Sequence, residues 1–317
     1  MEKTVAVLMA TYNGEKYLGQ QLDSILCQTY RNFQLYISDD CSTDATRNVI
    51  QTYVERYPEK ITYTVNKNNR GFVKNFENLL YDCCEEYIAF ADQDDIWQSN
   101  KLEILMDAMS ELESSKPDSA SLVHSDLSLI DQDDNTLHKS YFQFRKYKLK
   151  SSQDIGHILG PCGVMGNTLL INKKLKEIVL PFPDTLDVHD YWIAIHAELF
   201  GQRKTLHTQL VQYRIHSDNC SNNIKSLHTH NKKKYFSRDI QLPYMQTNRS
   251  SFLPLILEKT TNKNDRRSIE AFLEYLNFQS PRLKIYCNLI KYTLVKRDTI
   301  FRVKLLFKIL LTKRYDA

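Results

Sequence analysis

Across the first 130 residues, short apolar runs rich in β-branched side chains alternate with stretches whose apolar residues recur every three or four positions. Thr4 to Ala10, Phe33 to Ser38, Ile61 to Val65 and Tyr87 to Ala91 predict buried strands. Tyr17 to Cys27, Thr43 to Tyr57, Phe72 to Cys84 and Lys101 to Leu112 predict helices between and after them. Strand and helix alternating at this pitch predict an α/β fold, a mostly parallel sheet with helices on both faces. Leu122 to Ile130 and Asn167 to Ile171 predict further strands, Asp190 to Phe200 an apolar helix, and Leu206 to Arg214 a last strand. No repeat or low-complexity linker divides this pattern. Residues 1–224 are therefore expected to form one domain, followed by a basic helical region over 225–317.

In such sheets ligands bind beyond the carboxyl ends of the strands. Thr11-Tyr12-Asn13-Gly14 follows the first strand, Asp39-Asp40-Cys41-Ser42-Thr43-Asp44 the second, and Asp92-Gln93-Asp94-Asp95-Ile96-Trp97 the fourth. Carboxylates gathered on one edge raise one another's pKa and destabilise the fold unless compensated, and a divalent cation is the natural compensation. An all-oxygen set selects Mg²⁺ or Mn²⁺, which can hold a diphosphate where only 8 glycines leave little room for a phosphate-binding loop. The same residues also fit plainer roles. Ser42, Thr43 and Asp44 suit a helix N-terminus, Asp92, Asp94 and Asp95 a solvated turn, and Asp190 an N-cap.

Seven cysteines without a CxxC pair argue against a disulfide framework or a zinc knuckle and for a reducing compartment. No run reaches the length of a membrane span, and the apolar stretch Val5 to Ala10 is too short for a signal peptide, so a cytosolic protein is expected. The net charge of +4 conceals an asymmetry. Residues 280–317 carry ten basic and two acidic side chains, a net of +8, which leaves −4 on residues 1–279. Thr299 to Leu311 is apolar around most of its circumference, with Lys304 and Lys308 on one side and Arg302 and Lys313 on another. That pattern fits a helix on an anionic membrane surface, with lysine stems snorkelling, or one packed on the protein or on a second copy. No nucleic-acid-binding module accompanies the charge, so nucleic acid is not an expected partner.

Four segments in order carry a resemblance: Val7-Leu8-Met9-Ala10-Thr11-Tyr12-Asn13, Ser38-Asp39-Asp40-Cys41-Ser42-Thr43-Asp44, Ala91-Asp92-Gln93-Asp94-Asp95-Ile96-Trp97 and His189-Asp190-Tyr191-Trp192. Over about residues 3–220 the chain resembles a family 2 glycosyltransferase of the GT-A fold. The resemblance implies a nucleotide-diphosphate sugar donor bound through Thr11, Tyr12, Asn13, Asp39, Asp40, Asn69, Asn75, Asp92 and Asp94. It implies Mn²⁺ or Mg²⁺ at Asp94, with Asp95 as rival ligand and Asp92 on the ribose, and a late contribution from His216 to the metal. It implies Asp190 as general base, and Gly166, Asn167, His189, Trp192 and Arg214 around the donor and acceptor. A single base opposite the leaving group implies in-line displacement with inversion. Cys41 departs from the Gly or Asn usual there, so a somewhat different turn is expected. No Gln-x-x-Arg-Trp segment of processive synthases occurs, which favours adding one or a few sugars.

Within the family the chain looks most like bacterial rhamnosyltransferases of cell-wall and capsular polysaccharide assembly. That likeness implies a dTDP- or UDP-linked donor, a lipid-linked or polysaccharide acceptor, and a peripheral position at the inner face of the membrane, with a homo-oligomer also compatible. Two other readings remain open: a catalytically silent nucleotide- or glycan-binding member of an assembly complex, and a metal-dependent phosphoester hydrolase.

Overall fold

The computed structural model describes residues 3–216, 242–245, 247–295 and 298–311. In chain order the elements are β1 (Val5–Thr11), α1 (Leu18–Leu26), β2 (Phe33–Asp39), α2 (Thr46–Arg56), β3 (Ile61–Val65), α3 (Phe72–Asp82), β4 (Tyr87–Ala91), β5 (Ile96–Trp97) and α4 (Lys101–Ser115). There follow β6 (Ser121–Ile130), β7 (Thr136–His138), α5 (Tyr141–Arg145), α6 (Ile155–Leu159), β8 (Leu169–Asn172), α7 (Lys173–Val179), α8 (His189–Phe200) and β9 (Gln202–Arg214). The C-terminal region contributes α9 (Arg249–Lys259), α10 (Lys263–Leu276), α11 (Arg282–Lys291) and α12 (Thr299–Leu311).

The strands form one sheet in the order β3-β2-β1-β4-β8-β6-β9-β5, with β7 paired to β6. Parallel pairing joins β3, β2, β1 and β4, and joins β6 to β9, while the short β8 inserts antiparallel between β4 and β6. The expected α/β architecture with a mostly parallel sheet is therefore present. The residues of β1 explain its unbroken apolar run. Val5, Val7 and Met9 enter one core with Leu18, Leu22, Leu102 and Leu105, whereas Ala6 and Leu8 enter the opposite one with Phe76, Leu80 and Phe90. A strand covered on both faces needs apolar residues at every position.

The second core does not stop at the sheet. Phe252, Leu253, Ile269, Phe272, Leu289, Leu305 and Ile309 share it with Leu8, Phe90, Trp192 and Ile195, so the C-terminal helices pack as part of the same body. The expected boundary at residues 224 and 225 lies outside the described residues. Contact is closest at α6, where a β-carbon on Gly156 would stand 1.8 Å from the Tyr292 carbonyl oxygen and one on Gly160 1.9 Å from that of Leu294. Gly160→Ala is expected to force these backbones apart and cost about 1–3 kcal/mol, measured by denaturant unfolding.

Three boundaries differ from expectation. Helix α2 begins at Thr46, because Ser42 is taken up by Asp39 and Asn13, and Asp44 receives the Thr46 N–H at 3.0 Å. Helix α8 begins at His189 with Val188 at its cap, so Asp190 stands in the first turn and does not cap. Strand β9 starts at Gln202, four residues before the expected Leu206. Among the described residues no helix is long and apolar enough to cross a membrane.

Candidate active site

The three parallel strands β1, β2 and β4 deliver their loops to one edge. Asp39, fully buried, accepts from the Ser42 N–H at 2.9 Å, Arg47 Nε at 3.1 Å and the Thr11 hydroxyl at 3.1 Å. Asp40 accepts from the Gly71 N–H at 2.8 Å, the Arg70 N–H at 2.9 Å and Asn66 Nδ2 at 3.0 Å, fastening the loop before α3. Buried carboxylates with this many donors are tolerated because each lone pair is satisfied. Cys41 takes φ 70°, so the left-handed turn suited to Gly or Asn is retained despite the side chain. Beside it Asn13, at φ 47°, accepts from the Thr43 N–H at 2.9 Å. Tyr12 stands out at the strand end, 47% exposed, with its backbone clasped by the Gln93 amide at 2.9 Å on both sides.

The acids after β4 divide by burial. Asp95 is fully buried and accepts from Asn167 Nδ2 and, at 3.2 Å, from the Arg214 N–H. Asp92 and Asp94 are half-buried. Asp94 Oδ2 lies 2.8 Å from His216 Nε2, and Arg214 Nε donates to the Asp94 carbonyl at 2.9 Å. Burial pushes the Asp92 carboxyl up to about 7, with the charges of Asp94 and Asp190 adding to it. The compensating cation is Lys101, buried at the start of α4. Its ammonium lies 3.2 Å over the Trp97 ring and donates to the Asn167 carbonyl at 2.6 Å. Burial pushes this ammonium down and the Asp95 carboxyl up, while Asp95 and Asp92 pull Lys101 back toward its charged form.

Asp190 stands in the first turn of α8. Its Oδ2 accepts from the Gly166 N–H at 3.1 Å at the turn that opens β8. Burial raises this carboxyl to about 6 against the pull of the Tyr191 and Gly166 N–H groups and of Arg249. Arg249 comes from α9, stacks 3.9 Å over the Tyr191 ring and donates to the carbonyls of Leu159 at 2.9 Å and Gly160 at 2.7 Å.

Contacts thus link Thr11, Asn13 and Asp39 through Ser42 at the ends of β1 and β2, Asp94 to His216, and Asp190 to Gly166. Four of the expected residues are enclosed by the fold. Asp95, the rival metal ligand, is completely buried with both oxygens engaged. Asn75, expected at the nucleotide, is fully buried and donates to the Ser38 carbonyl at 2.8 Å. Trp192 lies in the core with Nε1 donating to the Val179 carbonyl at 2.8 Å. His189 is buried against Phe76 and Phe90 at ring-centroid distances of 4.5 and 5.5 Å, and burial lowers it to about 3, so it supports the floor as a neutral ring. Asn69 stays on the exposed loop, its side chain accepting from the Gly71 N–H at 3.1 Å, while Asn167 and Arg214 act as brackets behind the acids. Lys101 and Arg249 were not anticipated. A lysine opening an amphipathic helix has the ordinary signature of a solvated residue, and Arg249 lies beyond the last recognisable motif.

Asp94 and His216 supply one oxygen and one nitrogen at a shared position. Two protein ligands, with diphosphate oxygens and water to complete the shell, suit Mg²⁺ or Mn²⁺. Among the described residues no group of three His, Cys, Asp or Glu could hold a metal unaided.

The profile of "Glycosyl transferase family 2" matches residues 6–175, from β1 into α7. The chain belongs to glycosyltransferase family 2. An uncharacterized glycosyltransferase of Nostoc sp. is 28% identical over 222 residues, 68% of this chain and 66% of that protein. The dTDP-rhamnosyl transferase RfbG of Shigella flexneri is 41% identical over 105 residues, 32% of this chain and 36% of that enzyme. The chain thus spans just under two thirds of the first relative's length and about one third of the second's. The S. aureus TarS 1-349 crystal structure superposes with a TM-score of 0.56 at 17% identity, covering 96% of this chain and 89% of that one. The mannosyltransferase PcManGT of Pyrobaculum calidifontis gives a TM-score of 0.51 at 15% identity, covering 98% of this family 2 chain and 86% of its own. These likenesses establish the GT-A-like fold.

Proposed function

We propose that this family 2 protein is an inverting, metal-dependent glycosyltransferase. In this reading it moves rhamnose from dTDP-rhamnose to a lipid-linked or polysaccharide acceptor in cell-surface glycan synthesis, at the inner face of the membrane. The observations that carry the proposal are the 2.8 Å contact of Asp94 with His216 after β4 and the nearness of Asp190, on α8, to Asp92, close enough for its charge to act there. Tyr12, exposed beside the buried Asp39 and Asp40 loops, offers a face for the nucleotide base. The acceptor hydroxyl attacks the anomeric carbon as Asp190 takes its proton, and the bond from that carbon to the diphosphate oxygen breaks on the opposite face. Asp94 and His216 would hold a divalent cation, which when bound would neutralise charge on the diphosphate.

Rhamnose as the donor sugar is supported by the 41% identity to RfbG. A UDP-hexose donor is the competing reading, favoured by 33% identity over 105 residues to an Escherichia coli enzyme described as a UDP-Glc-dependent β-1,3-glucosyltransferase. Thermal unfolding with each nucleotide sugar, with and without Mn²⁺, separates them. At a hundredfold excess over its dissociation constant the true donor adds about 2.7 kcal/mol. Asp94→Ala and His216→Ala are each expected to lose the Mn²⁺-dependent part of that shift. Turnover to a glycan confirms transfer, whereas release of free phosphate without glycan would refute it in favour of hydrolysis.

A further inference from the structure

Helix α12 has two opposed apolar faces. Leu305 and Ile309 are buried in the core shared with the sheet, whereas Ile300, Val303, Phe307, Leu310 and Leu311 are 42–69% exposed. At 3.6 residues per turn those five fall within about 100° of one another, with Lys304 and Lys308 along one margin. Arg282 donates to the Leu310 carbonyl at 2.9 Å, which brings the start of α11 to the end of α12, and Leu283 there is 62% exposed. An apolar ridge of this kind on a soluble surface marks a contact site.

We propose that this ridge, with the basic residues around it, docks on an anionic phospholipid membrane. Charge decides the occupant. Residues 280–317 carry a net of +8, so a second copy meeting the ridge about a twofold axis would set two such charges against each other. Anionic headgroups oppose the charge and accept the apolar side chains beneath it.

The docking face is rigidly tied to the catalytic body. Leu305 and Ile309 anchor the helix, and Asp298, at its start, lies 4.0 Å from Lys146 at the end of α5.

The test is co-sedimentation of the full chain with vesicles of phosphatidylcholine, with and without phosphatidylglycerol. Removing the whole C-terminal region would break the core, so Ile300→Ser with Phe307→Ser, and Lys304→Glu with Lys308→Glu, are compared with wild type. Ile300, Lys304 and Phe307 are exposed and Lys308 is half-buried, and the unfolding midpoints of the variants verify the fold; Phe307→Ser alone replaces the first pair if its midpoint falls. The wild type is expected to bind only the anionic vesicles, and each variant to bind at least about tenfold less. Equal binding by wild type and variants, or no wild-type binding, would overturn the proposal. So would light scattering that shows a wild-type dimer converted to monomer by the serine variant. Neither donor nor acceptor is present, so these outcomes are independent of the catalytic reading.

Discussion

Asp190→Asn is expected to lower sugar transfer by about 10²–10⁴-fold while leaving donor affinity near wild type. The amide keeps an oxygen for the Gly166 N–H, so the turn at the floor stays in place and the loss isolates the proton acceptor. Steady-state kinetics with the true donor and a lipid-linked acceptor provide the measurement. The wild-type pH profile is a second readout, and its sign follows from the environment. Burial raises the Asp190 carboxyl to about 6, so the ionised form is the minority species below that value. A general base works ionised; kcat/KM therefore falls about tenfold per pH unit below 6 and levels off above it. Arg249 pulls the carboxyl down, so Arg249→Gln is expected to move this acid limb to higher pH. A rate that is flat from about pH 5 to 8 would assign the proton to another group.

The parallel half of the fold was legible because its inner strands β1 and β4 are covered on both faces and spell that out as continuous apolar residues, with β2 and the edge strand β3 following by their spacing. The strand-end positions followed from topology alone. Sequence could not divide the acids after β4 into exposed and buried members. Asp95 is buried by partners 72 and 119 residues away, Asn167 and the Arg214 backbone, and no local spacing reports such contacts. The place of Trp192 was hidden for a related reason. It stands two residues after Asp190, and helix positions two apart point about 200° apart, which turns it into the core. The C-terminal helix was ambiguous because its apolar residues serve two faces. Half of the pattern packs on the protein and half faces outward, so neither reading of its periodicity was complete.

Lys101→Met is expected to destabilise the fold by about 2–4 kcal/mol, a fall of roughly 3–6 °C in the unfolding midpoint. Methionine nearly matches the lysine in length and retains packing over Trp97. What it removes is the donor to the buried Asn167 carbonyl and the counter-charge to Asp95 and Asp92. Taking away one member of a buried charge network leaves the other uncompensated, whereas taking away both is milder. The double variant Lys101→Met with Asp95→Asn is therefore expected to recover a substantial part of the loss, and denaturant unfolding of the four proteins gives the coupling. Additive effects would mean that Lys101 serves only to fill space. Catalysis should respond as well, because Asn167 is held from both ends, by Lys101 at its carbonyl and by Asp95 at its side chain. The preceding residue, Gly166, gives its N–H to Asp190. Loosening Asn167 thus frees the floor beneath the base, so kcat is expected to fall in Lys101→Met even at temperatures where the chain remains folded.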